Sequence, residues 1–352
     1  MDLDNVREFP RIDPENMLAH IEGLPDQLEH AWQLGQSLPL PEWEGIERVL
    51  VAGMGGSAIG ADLLTAFAAP HLKVPVQIHR NYDLPGWASG PGTMVIASSH
   101  SGNTEETLLA FERARSDRCQ LLVVSTGGKL SQAARQAGVP AWEYTHTGQP
   151  RAAVGFSFGL LLAIFTRLGL IPDPADELGE AVQAMYAQQV NLAPQVPVVN
   201  NPAKRMAGQL YGRYVTIFGA EALEPVARRW KTQINEIAKA WAQFEALPEA
   251  DHNTLEGLAN PADNLAQVMA LFLRAPSYHP RNRLRTELTK TILMLEGLNT
   301  DFIDAQGNGR LAHQWTALHF GDYTAYYLAM AYGVDPTPVE HLADLKDEMA
   351  KA

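Results

Sequence analysis

The chain has 352 residues, 46% of them hydrophobic and 19% charged, which is ordinary for a globular protein and long enough for two domains with full cores. A formal net charge of -13 excludes a large nucleic-acid footprint, which needs clustered Lys and Arg, although local donors can still hold a phosphate. The only cysteine, Cys119, excludes an intrachain disulfide and a cysteine-based zinc cluster, and its place before Gln120-Leu121-Leu122 predicts a small buried residue.

The chain opens on Met1-Asp2-Leu3-Asp4, acidic where a secretory signal is positive, so a cytoplasmic protein is expected. Residues 1–40 predict a helical arm in which Asp13-Pro14 starts a helix and Met17, Leu18, Ile21 and Leu24 share one side. Residues 41–175 alternate: apolar runs at 49–52, 76–79, 94–97, 121–125 and 142–144 predict strands, with helical stretches between most of them. The uncharged stretch 152–166 stops at Arg167, short of the about 20 apolar residues that cross a bilayer, and predicts a buried helix. After Pro172-Asp173-Pro174, residues 176–205 predict a connector, helical over 178–192 and broken by Pro194, Pro197 and Pro202. Residues 206–352 restart the rhythm. Strands are expected at 215–218, 243–247, 268–273 and 302–304, helices across 228–241, 284–298 and 315–330, and a short helix at the C-terminus. The fold class expected is α/β, with two doubly wound parallel sheets and helices on both faces.

Two segments stand out chemically, Gly53-Met54-Gly55-Gly56-Ser57-Ala58 and Ser98-Ser99-His100-Ser101-Gly102-Asn103-Thr104-Glu105-Glu106-Thr107. Each follows a predicted strand and leads into a helix, a geometry that points backbone N–H groups and hydroxyls at one anion. Two such loops on parallel strands can converge on a single phosphate, which predicts a phosphorylated metabolite as ligand. Gly53-x-Gly55-x-x-Ala58 also fits a dinucleotide fingerprint, so an NADP dehydrogenase is a rival. The second strand ends in His79-Arg80-Asn81, with no acid for a ribose hydroxyl but with Arg80 available to a 2′-phosphate. A dinucleotide has no need of the second loop, where Ser99, Ser101 and Thr104 crowd together. The plainer alternative is that these hydroxyls cap the helix starting near Thr104. In the second half Ile217-Phe218-Gly219-Ala220-Glu221 replaces the glycine-serine loop, and Glu221 would repel a phosphate, so the first domain is expected to hold the anion.

The two loops resemble those of the sugar isomerase (SIS) domain. Further motifs narrow the resemblance: Gln149-Pro150-Arg151-Ala152-Ala153, Trp230-Lys231-Thr232-Gln233-Ile234-Asn235-Glu236-Ile237-Ala238-Lys239, Asp251-His252-Asn253 and Tyr332-Gly333-Val334-Asp335-Pro336-Thr337-Pro338-Val339. In order and spacing, from about Val49 to the C-terminus, these are similar to the bifunctional phosphoglucose/phosphomannose isomerases of archaea and bacteria. The resemblance implies two SIS domains, a homodimer, no metal and no organic cofactor. It implies a phosphate held by Gly55, Gly56, Ser57, Ser99, Ser101 and Thr104. It makes Glu236 the base that moves a proton between C1 and C2 through an enediolate. By pattern alone Glu236 is a surface acid beside a buried stripe of Ile234, Ile237, Ala238 and Trp241. His252 matches the ring-opening histidine, which in this family reaches the partner subunit's active site; by itself it is one loop histidine among 11. Arg151 would stabilise the enediolate oxygens, where pattern alone makes it a cap beside Pro150. Lys346 would assist ring opening, against a plain solvent-facing charge in Asp344-Leu345-Lys346-Asp347. Thr337 would line the sugar pocket and admit either C2 configuration. The chain is longer than the compact members in its N-terminal arm and across residues 263–285.

The leading expectation is therefore an isomerase of glucose 6-phosphate, and of mannose 6-phosphate, with fructose 6-phosphate. A non-catalytic SIS sensor of phosphosugars would keep Ser57, Ser99, Ser101 and Thr104 but have no need of Glu236, Arg151 and His252 together. A glutamine-dependent amidotransferase is disfavoured, since no catalytic cysteine stands at the N-terminus.

Overall fold

The computed structural model describes residues 2–349 and 351; Met1, Ala350 and Ala352, at the ends of the expected arm and second domain, lie outside the described residues. In chain order the elements are α1 (Phe9–Ile12), α2 (Met17–Glu22), α3 (Leu24–Ser37), β1 (Arg48–Ala52), α4 (Gly55–Ala68), β2 (Val76–His79), β3 (Thr93–Ser99), α5 (Glu105–Ser116), β4 (Gln120–Ser125), α6 (Gly128–Ala137), β5 (Ala141–Glu143), α7 (Val154–Arg167) and α8 (Ala175–Gln189). There follow α9 (Pro202–Leu210), β6 (Tyr214–Ala220), α10 (Glu224–Glu236), β7 (Ala242–Leu247), α11 (Ala262–Leu265), β8 (Val268–Arg274), α12 (Pro280–Leu295), β9 (Asn299–Asp304), α13 (Gly309–Tyr332) and α14 (Glu340–Met349). Every strand expected from an apolar run forms. β9 starts earlier than expected because polar Asn299, Thr300 and Asp301 pair with Met269, Ala270 and Leu271 along a sheet edge, where polar residues are tolerated.

The chain divides into two compact units. Gly23–Met185 with Gly307–Trp315 form one, and the described residues of Met1–Glu22, Tyr186–Gln306 and Thr316–Ala352 form the other. The residues expected as one arm are thus parted between the units. The helix expected from Asp13-Pro14 starts instead at Met17, because the Asp13 carboxylate accepts the N–H groups of Met17 (2.7 Å) and Leu18 (3.1 Å) as a cap.

In the first unit five parallel strands run in the order β2-β1-β3-β4-β5. β3 is buried along its whole length, and β1 and β4 nearly so, as expected for the middle of a sheet covered on both faces. α7 is buried from Val154 to Phe165. The Gln27 side chain on α3 brackets its start, donating to the Ala152 carbonyl (2.9 Å) and accepting from Gly155 N–H (2.8 Å). No helix among the described residues is long and apolar enough to cross a membrane. Cys119 is half-buried rather than buried; its thiol faces the Ala88 carbonyl, and burial pushes its pKa up.

In the second unit four parallel strands run in the order β7-β6-β8-β9. α10 starts at Glu224 with Pro225 in its first turn and stops at Glu236, short of the expected end at 241. Lys239 takes a left-handed φ of 54° and the Asn235 amide donates to Ala240 O, which turns the chain out of the helix. Ile234, Ile237 and Ala238 are buried as expected, but Trp241 lies past the turn and is 66% exposed. α10 is fixed to α13 by buried polar contacts. Arg229 pairs with Asp322 (2.6 Å), Gln233 donates to the same carboxylate (3.0 Å), and the Trp230 indole donates to Ala317 O (2.9 Å). Burial pushes the Asp322 carboxyl up, and Arg229 and Gln233 pull it back.

Gly321 on α13 lies so close to Trp230 that a Cβ there would collide with the indole ring. Gly321→Ala should cost about 1–3 kcal/mol by overpacking. Gly208→Ala, at an exposed position of α9 where a Cβ meets nothing, should instead add about 0.5–1 kcal/mol. Denaturant midpoints of the two variants against wild type check both signs.

His319 is buried and its ring donates to the Ile21 carbonyl (2.8 Å). Burial lowers its pKa from 6.5 to about 4, against the raising effect of that hydrogen bond and with a smaller lowering from Arg229. Between about pH 4 and 6.5 the folded protein therefore binds fewer protons than the unfolded chain, and its stability falls as the pH drops. The loss attributable to this ring should approach about 3 kcal/mol by pH 4. Unfolding curves of wild type and His319→Gln across that range should differ by this slope.

Candidate active site

β1 and β3 are hydrogen-bonded neighbours, with Arg48 opposite Thr93 through to Ala52 opposite Ala97. In the order β2-β1-β3-β4-β5 they flank the switch point, where the connections leave the sheet in opposite directions and open a crevice at the strand ends. Both predicted loops start there. α4 has Met54 and α5 has Thr104 as the residue before its first turn, and neither N-terminus is capped by a side chain. The hydroxyls predicted as possible caps are used differently.

Thr104 Oγ1 hydrogen-bonds Ser99 Oγ at 2.8 Å, and Ser99 Oγ accepts Gly102 N–H at 3.1 Å. Ser57 Oγ, buried at the start of α4, accepts His100 N–H at 3.0 Å and so joins the two loops. Exposed Ser101 accepts Asn103 N–H at 3.2 Å. Ser57 and Ser101 each accept in these bonds, which leaves the hydroxyl proton for a ligand oxygen. The second loop is anchored from β4 and α6: Thr126 donates to His100 O through its hydroxyl (2.6 Å) and its N–H (3.1 Å), and Leu130 N–H donates to Gly102 O (2.9 Å).

Arg151 joins this cluster through backbone packing. It lies on a 3-10 turn, Pro150–Ala153, and is only 4% exposed. A Cβ on Gly56 would sit 2.5 Å from Pro150 O and 3.2 Å from Arg151 N, so glycine there admits the turn against the first turn of α4. Ser157 Oγ donates to Gly56 O (2.9 Å) and locks the approach.

Two residues passed over in the sequence complete the wall. The His100 ring meets His146 at 3.0 Å (Nε2 to Nδ1), edge-on to Tyr144, which stacks on Phe156. Burial lowers the His100 pKa below the ordinary imidazole value. His100 lay inside the quoted motif, but His146 carries no local signal, since only the sheet brings it near. Arg80, the candidate for a nucleotide 2′-phosphate, is instead ion-paired with Asp62 of α4, which removes the main support for the dehydrogenase.

At the corresponding point of the second sheet, between β6 and β8, Glu221 accepts His279 N–H (2.7 Å) and the Asn282 amide (2.8 Å) at the start of α12. A protein carboxylate thus satisfies donors at the start of α12. Glu236 is half-buried at the end of α10, one turn beyond Gln233. The Lys239 ammonium donates to the Glu236 carbonyl and to the Pro338 carbonyl, both at 2.6 Å, and so ties Glu236 to the segment holding buried Thr337. His252 is exposed on the 3-10 turn Glu249–His252, beside Asp251, which accepts from Arg285 (2.8 Å) and Thr289 (2.7 Å) on α12. Lys346 is exposed on α14.

The chain is 37% identical over 339 residues to a bifunctional phosphoglucose/phosphomannose isomerase of Caldicellulosiruptor bescii, covering 95% of this chain and 99% of the relative. It belongs to that family. A relative of the same name from Aquifex aeolicus is 32% identical over 88% of this chain and 95% of its own length. Residues 199–349 match the bacterial phospho-glucose isomerase C-terminal SIS domain family. Among solved structures, a glucose-6-phosphate isomerase like protein from Thermus thermophilus shares the fold, with a TM-score of 0.61 at 22% identity, over 96% of this chain and 98% of that one. The phosphoglucose/phosphomannose isomerase family is thus met along nearly the whole chain, and the expected SIS-domain fold is present in both units.

If the cradle holds an anion, Gly56→Ala must weaken it, because the new methyl displaces the Arg151 turn from the first turn of α4. Calorimetric titration with fructose 6-phosphate should show at least about a tenfold rise in Kd, equivalent to about 1.4 kcal/mol. The circular dichroism spectrum should stay unchanged.

Proposed function

We propose that this chain interconverts glucose 6-phosphate and mannose 6-phosphate with fructose 6-phosphate. The observation that carries the reading is the hydroxyl-lined cradle at the β1/β3 switch point, in a chain 37% identical over 95% of its length to a protein named for both activities.

The 6-phosphate accepts hydrogen bonds from the start of α4, at Gly55 and Gly56, and from Ser57, Ser99, Ser101 and Thr104. The closed sugar opens when His252, contributed by the partner subunit of a homodimer, takes the proton of the C1 hydroxyl and returns it to the ring oxygen, with Lys346 assisting. The Glu236 carboxylate then takes the C2 proton of the aldose, leaving an enediolate, and delivers it to C1 while the O2 hydroxyl proton passes to O1, giving the ketose. Arg151 places a fixed positive charge by the enediolate oxygens as charge develops there. Thr337 faces the C2 substituents and tolerates either configuration. A cytoplasmic location suits substrates whose phosphate prevents passage through a bilayer. The sensor alternative explains the cradle but gives no role to Glu236 or to a buried Arg151.

Turnover of fructose 6-phosphate in D2O, followed by NMR, tests the reading. Wild type should form both aldose phosphates with deuterium entering at C2. Glu236→Gln should lose at least about a hundredfold in kcat while still binding the sugar phosphate. Tight binding without turnover by wild type would replace the isomerase with the sensor.

A further inference from the structure

Three aromatic rings stand further into solvent than any others among the described residues: Trp241 (66% exposed), Tyr214 (54%) and Tyr211 (53%). All three gather round one cleft of the second unit, about 570 Å³ in volume. Trp241 and Tyr214 line it, and Tyr211 stacks on a third lining ring, Tyr332, at 4.6 Å between centroids. A single exposed ring is ordinary, but a group of them in a concavity of this size marks a binding site.

Fixed backbone builds the cleft, at the starts of β6 and β8 and at the turn between α10 and β7. The Tyr332 hydroxyl accepts Gly212 N–H (2.8 Å), and Tyr214 N–H donates to Gln267 O (3.0 Å). The Asn235 amide holds Ala240 O (2.8 Å) in the turn before Trp241. The walls thus stand ready-made, as those of small-molecule sites generally do.

The charge of the cleft runs against that of the chain. The protein has 40 acidic residues to 27 basic ones, yet the cleft is lined by Arg213 and Lys239 and, among the described residues, by no Asp or Glu. Arg213 donates to Gln209 O (3.0 Å), and Lys239 to the Glu236 and Pro338 carbonyls (2.6 Å each). Carbonyl partners orient a cation without neutralising it. Two cations beside exposed rings suit a planar base joined to a phosphate: the base stacks on an aromatic face, and the phosphate accepts charge-assisted hydrogen bonds. A phosphosugar would use the cations and leave the rings bare. We propose that this cleft of the second unit is a further ligand site, distinct from the hydroxyl-lined cradle of the first, and that it takes a mononucleotide.

The site reaches the chemistry through Lys239, a consequence that rests on the role proposed above for Glu236. The ammonium that would meet the phosphate is the one that ties the end of α10 to Pro338 O. A phosphate that draws it away loosens Glu236, so the nucleotide should act on kcat rather than on KM for the sugar phosphate.

Calorimetric titration of the full chain with adenosine monophosphate tests the site without reference to turnover. One equivalent should bind with a Kd below about 1 mM, and should do so equally with fructose 6-phosphate in excess. Trp241→Ala and Arg213→Gln should each raise that Kd at least about tenfold, and adenosine or inorganic phosphate alone should bind at least about tenfold more weakly than the nucleotide. No binding, binding that fructose 6-phosphate displaces, or binding unchanged in both variants would overturn the proposal. So would a Trp241→Ala chain that sediments at a different mass from wild type, because the rings would then be covered by a second copy. In the D2O assay adenosine monophosphate should lower the wild-type kcat at least about fivefold and leave that of Trp241→Ala unchanged. Nucleotide binding by a chain without turnover keeps the cleft and removes the isomerase, and turnover without nucleotide binding does the reverse.

Discussion

The parallel pairing of β1 with β3 is the constraint on which the candidate site depends. Residue-by-residue register brings Ala52 and Ala97 level, so both following loops leave the sheet at one point. Because the chain runs outward from there in both directions, the helices cannot close over the gap, and the uncapped starts of α4 and α5 face it. The second sheet has the same switch point between β6 and β8. There Glu221 supplies the negative charge that the start of α12 attracts, bonded to His279 and Asn282. One topology thus carries a glycine-serine loop in one unit and a carboxylate in the other, and the difference lies in Gly55 against Glu221, which take the same left-handed φ (49° and 48°) after β1 and β6.

The second unit holds a carboxylate in place instead. Glu236 could swing with any rolling of α10, but Arg229 and Gln233, two turns and one turn back, share the buried Asp322 on α13. A buried ion pair is weak evidence of net stability, since desolvation offsets much of its attraction. Its cost on breaking is large and directional, and that fixes the rotation of the helix. Lys239 then ties the helix end to the Pro338 carbonyl. A proton-transferring carboxylate needs this kind of support, because an error of an ångström in its position costs catalysis more than a weaker contact elsewhere.

Much of this was legible in the sequence, for identifiable reasons. The strands were, because central strands of a parallel sheet are continuous apolar runs, as in Met94-Val95-Ile96-Ala97. The start of β9 was missed because an edge strand carries no such run. The end of α10 was missed because Ile237, Ala238 and Trp241 continue the helical period past the point where Lys239 adopts a left-handed conformation. Pattern recorded which residues are apolar and not where the backbone turns, and Trp241 consequently stands in solvent. At the site, the hydroxyl loops were legible as local motifs. The burial of Arg151 was not, since it follows from the close approach of Pro150 to Gly56, and neither was the contact of His100 with His146 across 46 residues.

The exposure of the ring-opening candidates bears on how chemistry could occur there. Arg151 is buried and Glu236 half-buried, yet His252 and Lys346 stand in solvent on a single copy. A histidine that passes a proton between two sugar oxygens works best when water cannot compete for that proton. On the Glu249–His252 turn Asp251 is committed to α12, and His252 beside it stays exposed.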